Sequence, residues 1–251
     1  MWRVQVIVEL AEKLIPDLYK IIPCSYKKIE QVLPKESNYK DPASFKEEAE
    51  QIMNKLLSNK KERLSKFIIH TGGVPSCGKT YFCNYLLENE LLPKETVFIQ
   101  FDLIMEKLTG YKKDMETADP AKAFENWEIP AKIIGYELIE RAIAKNLPIL
   151  LDHGGSFFGH KDLLKNLKAL GYTTEMHFIN CSIDTALKRA QKRSKTQRHT
   201  PEEMILERHQ NLQSLKQEYH SIVDKFYDYH NDTSVKEFED EINKTFRGKT
   251  R

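Results

Sequence analysis

The hydrophobic positions of this chain fall into short apolar runs separated by longer stretches of mixed polarity. Five of these runs predict strands, at 67–71, 97–101, 148–151, 175–180 and 226–229. The stretches between them predict helices, at 80–92, 127–145, 161–170, 184–193 and 200–220. Strands that alternate with helices are typical of a parallel sheet with helices on both faces. The pattern therefore predicts an α/β fold of three layers around a mostly parallel central sheet.

The two ends of the chain differ from this alternating centre. Residues 1–40 contain three prolines that divide a helical N-terminal extension into short pieces, and Asp41-Pro42 begins the next helix. Residues 232–251 are strongly charged and predict a solvated C-terminal tail. We therefore expect three parts: the extension at 1–40, an α/β domain at 41–231 and the charged tail at 232–251.

Composition limits the location and the partners of the protein. A formal net charge of +2 on 251 residues favours neither nucleic acid nor an anionic membrane as a partner. Charges interrupt the apolar residues near the N-terminus too often for a membrane span, and no signal-peptide pattern is evident. Four scattered cysteines favour a reducing compartment over a disulfide framework or a zinc site. We expect a cytoplasmic protein, although a specialised secretion machine could export it into another cell.

The most specific motif follows the strand at 67–71. Residues 73–80 read Gly-Val-Pro-Ser-Cys-Gly-Lys-Thr and fit the phosphate-binding pattern G-x-x-x-x-G-K-[ST]. Glycines let main-chain N–H groups converge on phosphate oxygens, and the following helix adds the partial positive charge of its N-terminus. Lys79 is expected to reach the β- and γ-phosphates of ATP, and Thr80 to ligate Mg²⁺. The expected nucleotide-binding residues of the loop are Gly73, Val74, Pro75, Ser76, Cys77, Gly78, Lys79 and Thr80.

Two aspartates close predicted strands on the same side of the sheet as this loop. Asp102 follows the run at 97–101 and Asp152 follows the run at 148–151. Ligands of open parallel sheets bind beyond the carboxyl ends of the strands, so both carboxylates are expected near the phosphates. The apolar run before Asp152 resembles a Walker B strand and suits a Mg²⁺ ligand, which leaves Asp102 as the base for the acceptor hydroxyl. Either aspartate could instead cap the helix that follows it.

A basic segment at 188–199 contains six lysines and arginines and no acidic residue. Such a run usually marks a solvated helix face, and no aromatic residues interleave it as they would in a nucleic-acid patch. In a P-loop protein we interpret the segment as a lid that brings arginines to the γ-phosphate. Arg189 and Arg193 are four residues apart and share one helix face. Arg198 precedes a predicted capping box at 200–203, where the backbone can direct it inward.

With these residues assembled, the chain resembles the zeta-toxin family of P-loop kinases over about residues 41–231. The resemblance is carried by the segments 72–80, 99–102, 167–172, 186–189 and 197–203. It implies an ATP- and Mg²⁺-dependent kinase that phosphorylates the 3′-hydroxyl of UDP-N-acetylglucosamine or a related UDP-amino sugar. By position, Asp102 resembles the catalytic base of the family, Lys79 and Thr80 match its P-loop pair, and Arg189 and Arg198 match its two γ-phosphate arginines.

The chain departs from the family pattern near the expected acceptor site. The family usually has Glu-Gly-Thr after the third strand, where residues 152–156 read Asp-His-Gly-Gly-Ser, and Gln100 replaces the first residue of an Asp-X-Asp motif. The acceptor could therefore be another nucleotide sugar, or the small molecule of an antibiotic- or metabolite-modifying kinase. A nucleotide-dependent switch protein without transfer is an alternative of another class. Residues 1–40 have no counterpart in the resemblance and are candidates to bind an antitoxin or another partner.

Overall fold

A computed structural model describes residues 14–15, 33–34, 42–62, 66–117, 120–193 and 200–247. Its strands form one sheet in the order β2-β3-β1-β4-β5, and every neighbouring pair is parallel. The strands are β1 (Phe67–Gly72), β2 (Val97–Gln100), β3 (Ile149–Asp152), β4 (Thr173–Asn180) and β5 (Lys225–His230). All four residues of β3 are buried although successive side chains alternate between the two faces, so helices cover both faces. The predicted three-layer α/β fold is confirmed.

The described part of the chain contains nine helices. They are α1 (Pro42–Leu57), α2 (Lys79–Glu88), α3 (Phe101–Lys107), α4 (Thr109–Thr117), α5 (Pro120–Ala144), α6 (Gly159–Ala169), α7 (Ile183–Arg193), α8 (Glu202–Ile222) and α9 (Val235–Arg247). Helices α3 and α4 were not predicted: α3 has only seven residues, and α4 buries only Gly110. Within the described ranges, no helix has both the length and the apolar character needed to cross a bilayer.

The strand order places the phosphate-binding motif at the centre of one sheet edge. Strand β1 pairs with β3 on one side and with β4 on the other. Because all strands are parallel, their carboxyl ends meet at the same edge, where the loop after β1 begins. The register sets Gln100, the last residue of β2, directly beside Asp152, the last residue of β3. This edge is where the sequence predicts the site.

Two local predictions near this edge were wrong. Strand β2 ends at Gln100, so Asp102 does not close a strand but lies in the first turn of α3, where a negative charge is favourable. The predicted capping box at 200–203 does not form, because Pro201 is the N-cap of α8 and no side chain caps the helix. The Thr200 hydroxyl instead accepts a hydrogen bond from the Arg193 guanidinium at 3.0 Å.

The solvated C-terminal tail is a third prediction that was wrong, because α9 packs on the domain. Phe238, Ile242 and Phe246 recur every four residues and are buried, with the charged residues of the helix on the other faces. Ser234 and Glu237 form a capping box: the Glu237 N–H donates to Ser234 Oγ at 3.3 Å, and the Ser234 N–H donates to Glu237 Oε2 at 2.9 Å. The signal S-x-x-E for this helix was present in the sequence.

Most of the predicted N-terminal extension, residues 1–40, lies outside the described residues. Leu14 and Ile15 are buried, and the Asn166 amide of α6 donates to the Leu14 carbonyl at 2.9 Å. This part of the extension therefore packs against the α/β domain.

We predict that Phe238→Ala lowers the free energy of unfolding by about 3–5 kcal/mol, because it leaves a cavity under α9. Phe238 is 1% exposed, whereas Val235 in the same helix is 61% exposed and provides the control substitution Val235→Ala. Urea denaturation followed by circular dichroism measures both variants. Equal stability of the two would show that α9 does not contribute to the folded core.

Candidate active site

One cavity of about 450 Å³ opens at the carboxyl edge of the sheet. Its walls come from the phosphate-binding loop, the ends of β2 and β3, and helices α3, α5, α7 and α8. The residues predicted to act in the site that line this cavity are Pro75, Ser76, Gly78, Lys79, Thr80, Asp102, Asp152, Arg189 and Arg193. Val74 and Cys77 are buried in the core behind the loop, and Arg198 lies outside the described residues.

Contacts with the edge of the sheet fix the conformation of the loop at 73–80. Gly78 has a φ of 108°, and a Cβ atom there would lie 2.2 Å from the Asn231 amide nitrogen. That amide follows β5 and donates a buried hydrogen bond of 2.7 Å to the Cys77 carbonyl. At the other end of the loop, the Gly73 N–H donates to the Gly154 carbonyl at 3.0 Å. The loop is therefore fixed to the segments that follow β3 and β5.

Two predicted cations, Lys79 and Arg189, lie against this loop. The Lys79 ammonium donates to the Gly73 and Val74 carbonyls at 3.0 and 2.7 Å. The Arg189 guanidinium donates to the Cys77 carbonyl at 3.5 Å and to the Asn231 carbonyl at 2.9 Å. In these bonds the acceptors are neutral carbonyl oxygens. A charged phosphate oxygen would form stronger hydrogen bonds with both cations and can therefore replace the carbonyls.

The loop also contains a polar atom that has no partner within the described residues. Ser76 Oγ is buried and makes no hydrogen bond there, and the residue has a φ of 65°. A buried hydroxyl without a partner is costly, so the position favours a ligand that offers acceptor oxygens. Together with the two cations and the N-terminus of α2, this hydroxyl makes the loop suitable for the phosphates of a nucleotide.

Oxygen atoms that suit a hard cation meet beside the loop. The Thr80 hydroxyl donates to Asp152 Oδ2 at 2.8 Å, and the Gln100 amide donates to the same oxygen at 2.8 Å. Burial raises the pKa of Asp152, while Lys79 and the hydrogen bond from Thr80 act in the opposite direction. The negative charge of Asp102 raises the pKa further, so the two carboxylates influence each other electrostatically. A hydroxyl and a carboxylate in this arrangement fit the ligand preferences of Mg²⁺.

The wall of the cavity away from the loop carries charged and aromatic residues that the sequence analysis did not identify. Glu128 and Lys132 of α5 form an ion pair at 2.9 Å, and Arg208 comes from α8. Aromatic rings of the same wall belong to Phe101, Phe124 and Phe157. The i,i+4 charge pair was visible in the sequence, but only the tertiary structure brings α5 and α8 to one cavity.

Three buried or half-buried histidines, His70, His153 and His160, lie together at this wall with ring nitrogens within 4.8 Å of one another, and His153 lines the cavity. Hydrogen bonds account for their arrangement: His70 Nδ1 donates to the Thr71 carbonyl at 2.6 Å, and His160 Nδ1 donates to His70 Nε2 at 2.6 Å. The Tyr136 hydroxyl donates to His160 Nε2 at 2.7 Å and completes the chain of bonds. Burial lowers the pKa of His70 to about 4 and the pKa of His153 and His160 well below their usual range, so all three are neutral at pH 7.

The parallel sheet, the loop between β1 and α2, and the carboxylates of Asp152 at the end of β3 and Asp102 in the first turn of α3 define the class of the protein, a P-loop kinase fold. The family model of the zeta toxins matches residues 17–241, and the chain belongs to the zeta toxin family. The family and the fold are those of nucleotide-dependent phosphotransferases. No curated protein matches the chain.

Similar solved structures have low sequence identity to this chain. A structure described for the PezAT chromosomal toxin–antitoxin system of Streptococcus pneumoniae is 18% identical, with a TM-score of 0.61 over 84% of this chain and 90% of that chain. A gluconokinase from Sinorhizobium meliloti is 17% identical over 74% of this chain and 97% of that chain, with a TM-score of 0.45. A shikimate kinase from Bacteroides thetaiotaomicron is 14% identical over 74% and 99%, also with a TM-score of 0.45. At these identities the likeness concerns the fold alone.

We predict that the protein loses stability as the pH falls from about 6.5 toward 4. In this interval the histidines of the unfolded chain become protonated, whereas the buried histidines of the folded protein stay neutral. A pKa of about 4 for His70, against 6.5 when it is exposed, corresponds to about 3 kcal/mol over this interval. Urea denaturation at a series of pH values measures the loss. The difference between wild type and His70→Gln isolates this histidine, and His230→Gln, at an exposed histidine, is the control. Parallel curves for wild type and His70→Gln would contradict the buried neutral state.

Proposed function

We propose that the protein transfers the γ-phosphate of ATP to a hydroxyl group of a small molecule, with a UDP-amino sugar such as UDP-N-acetylglucosamine as the favoured acceptor. The observation that supports this proposal is that charged residues line the cavity away from the phosphate-binding loop as well as beside it. Lys79, Thr80 and Arg189 line one wall of the cavity, and Asp102, Lys132 and Arg208 line others. A protein that only binds a nucleotide needs the loop but has no use for a second charged wall, which disfavours a switch protein without transfer.

In the proposed reaction, Lys79 and the N–H groups of the loop bind the β- and γ-phosphates. Mg²⁺, held by Thr80 and Asp152, would neutralise part of the phosphate charge. Asp102 orients the acceptor hydroxyl and takes its proton as the oxygen forms its bond to the γ-phosphorus and the bond to the β-phosphate oxygen breaks. Arg189 exchanges its carbonyl partners for γ-phosphate oxygens, and Arg193 and Arg198 are proposed to act from the same lid.

The proposed class of acceptor rests on two observations: the charges on the cavity wall away from the loop, and membership of the zeta toxin family. Lys132 and Arg208 both lower the pKa of His153, so both positive charges lie near one part of the cavity. Two cations in this part of the cavity, one of them paired with Glu128, suit a molecule that carries phosphate groups, and nearby aromatic rings suit a sugar or a base. The departures at Gln100 and at 152–156 favour, as the second candidate, a kinase for another phosphorylated or carboxylated metabolite.

A protein partner is also proposed. The similar solved structure belongs to a toxin–antitoxin system, and we propose that this chain likewise pairs with an antitoxin through residues 1–40 in the cytoplasm. The kinase domain is proposed to span 41–231 and to include α9, which packs on it.

We predict that the protein, given ATP, Mg²⁺ and a panel of UDP-sugars, adds one phosphate to a UDP-amino sugar, as measured by mass spectrometry of the sugar nucleotide. Asp102→Asn should lower kcat by about 10²–10⁴-fold while ATP binding stays unchanged, because only the proton acceptor is lost. Glu106→Gln, one turn further along α3, is the control. ATP binding without transfer to any UDP-sugar would exclude the favoured acceptor, and a fully active Asp102→Asn would exclude Asp102 as the base.

We predict that Arg189→Ala lowers kcat by about 10³–10⁵-fold, the range for an arginine that stabilises the transition state of phosphoryl transfer. Lys192 is an exposed cation of the same helix, so Lys192→Ala tests the loss of charge alone. Steady-state kinetics of both variants, with ATP affinity measured separately, distinguish the two cases. Similar activity of the two variants would show that α7 is only a solvated face.

A further inference from the structure

His153 has a fixed tautomer because of its neighbour two residues along the chain. The Gly155 N–H donates to His153 Nδ1 at 3.1 Å, so the ring hydrogen is on Nε2. Gly155 itself is held in place, since the buried Tyr219 hydroxyl donates to its carbonyl at 2.8 Å. The side chain of His153 is therefore a neutral hydrogen-bond donor, and it lines the cavity.

The orientation of the ring is fixed as well as its tautomer. His153 packs on His160 with ring centroids 4.0 Å apart, and meets Phe101 and His70 edge to face at 5.8 and 5.7 Å. His160 is in turn held by Tyr136 and His70. Rings packed in this way restrict rotation, and a donor that is oriented in advance loses little freedom when it binds a ligand.

The Nε2–H group of His153 has no hydrogen-bond partner within the part of the chain that the structure describes. The bond from Gly155 uses Nδ1, and Nε2 makes no hydrogen bond to any described residue. A half-buried N–H group in a cavity wall normally pairs with protein, water or ligand. Lys132 and Arg208 line the same cavity, so an anionic ligand atom is favoured beside this donor although Lys132 also pairs with Glu128.

We propose that His153 is a specificity-determining residue of the kinase, which donates a hydrogen bond from Nε2 to a phosphate or carboxylate oxygen of the acceptor. The proposal rests on the proposed function and assigns one contact within it. The acceptor class that follows is a molecule with an anionic group beside the hydroxyl that is phosphorylated. A neutral sugar without such a group would offer Nε2 only a hydroxyl or carbonyl oxygen, which accepts a weaker hydrogen bond than a charged oxygen.

The test compares two substitutions that separate the donor from the ring. His153→Phe keeps an aromatic ring for packing on His160 but removes the N–H, and His153→Gln keeps an amide N–H at a similar reach. We expect His153→Phe to raise the KM for the acceptor by about tenfold, with kcat and ATP affinity nearly unchanged, and His153→Gln to recover much of the affinity. Calorimetric titration with UDP-N-acetylglucosamine and with UDP alone, each with ADP present, shows whether the oxygen belongs to the diphosphate or to the sugar.

The outcomes separate this inference from the proposed function. If the wild type phosphorylates a UDP-sugar and His153→Phe has an unchanged KM, the role of His153 is wrong and the function stands. If the wild type neither binds nor phosphorylates any member of the panel, both proposals fail. Thermal unfolding of both variants shows whether the fold is kept. If His153→Phe does not fold, the KM of His153→Gln against that of His153→Ala decides the role, and equal values would overturn it.

Discussion

The site depends on one buried hydrogen bond, from the Asn231 amide to the Cys77 carbonyl at 2.7 Å. Asn231 follows β5, and its own N–H donates to the Asn180 carbonyl at the end of β4, so the amide is anchored to the sheet. Its carbonyl accepts from Arg189. One residue thus joins the phosphate-binding loop, the arginine helix α7 and the sheet edge. The same contact leaves no space for a side chain at position 78, which accounts for a glycine there.

The support for this contact comes from a part of the chain far from the loop in sequence. Helix α9 packs its apolar face through Phe238 on Tyr229 of β5, and through Phe246 on His177 of β4. Because β5 is an edge strand of the sheet, it has only β4 as a strand neighbour and needs this cover. The C-terminal helix therefore stabilises the strand that positions Asn231, although none of its residues lines the cavity.

The opposite wall is organised by buried polar groups that satisfy one another. Tyr136, His160 and His70 form a chain of hydrogen bonds that ends on a main-chain carbonyl, and the chain supports His153 from behind. Neutral imidazoles cost less to bury than charged ones, which is why burial lowers their pKa. A wall built in this way is rigid, and it holds donors toward the cavity at fixed positions. The loop and the wall thus present different chemistry to two sides of one cavity.

The sequence alone determined the α/β class, the phosphate-binding loop and the strand-end position of Asp152, because each depends on residues that are adjacent in the chain. It also indicated Asp102, Arg189 and Arg193, which line the same cavity as the loop, although Asp102 lies in a helix rather than at a strand end. Only the tertiary structure revealed Asn231, the histidine cluster, and Lys132 with Arg208. These groups come from segments far apart in the chain, and their meeting depends on the order β2-β3-β1-β4-β5, which hydrophobic periodicity does not encode.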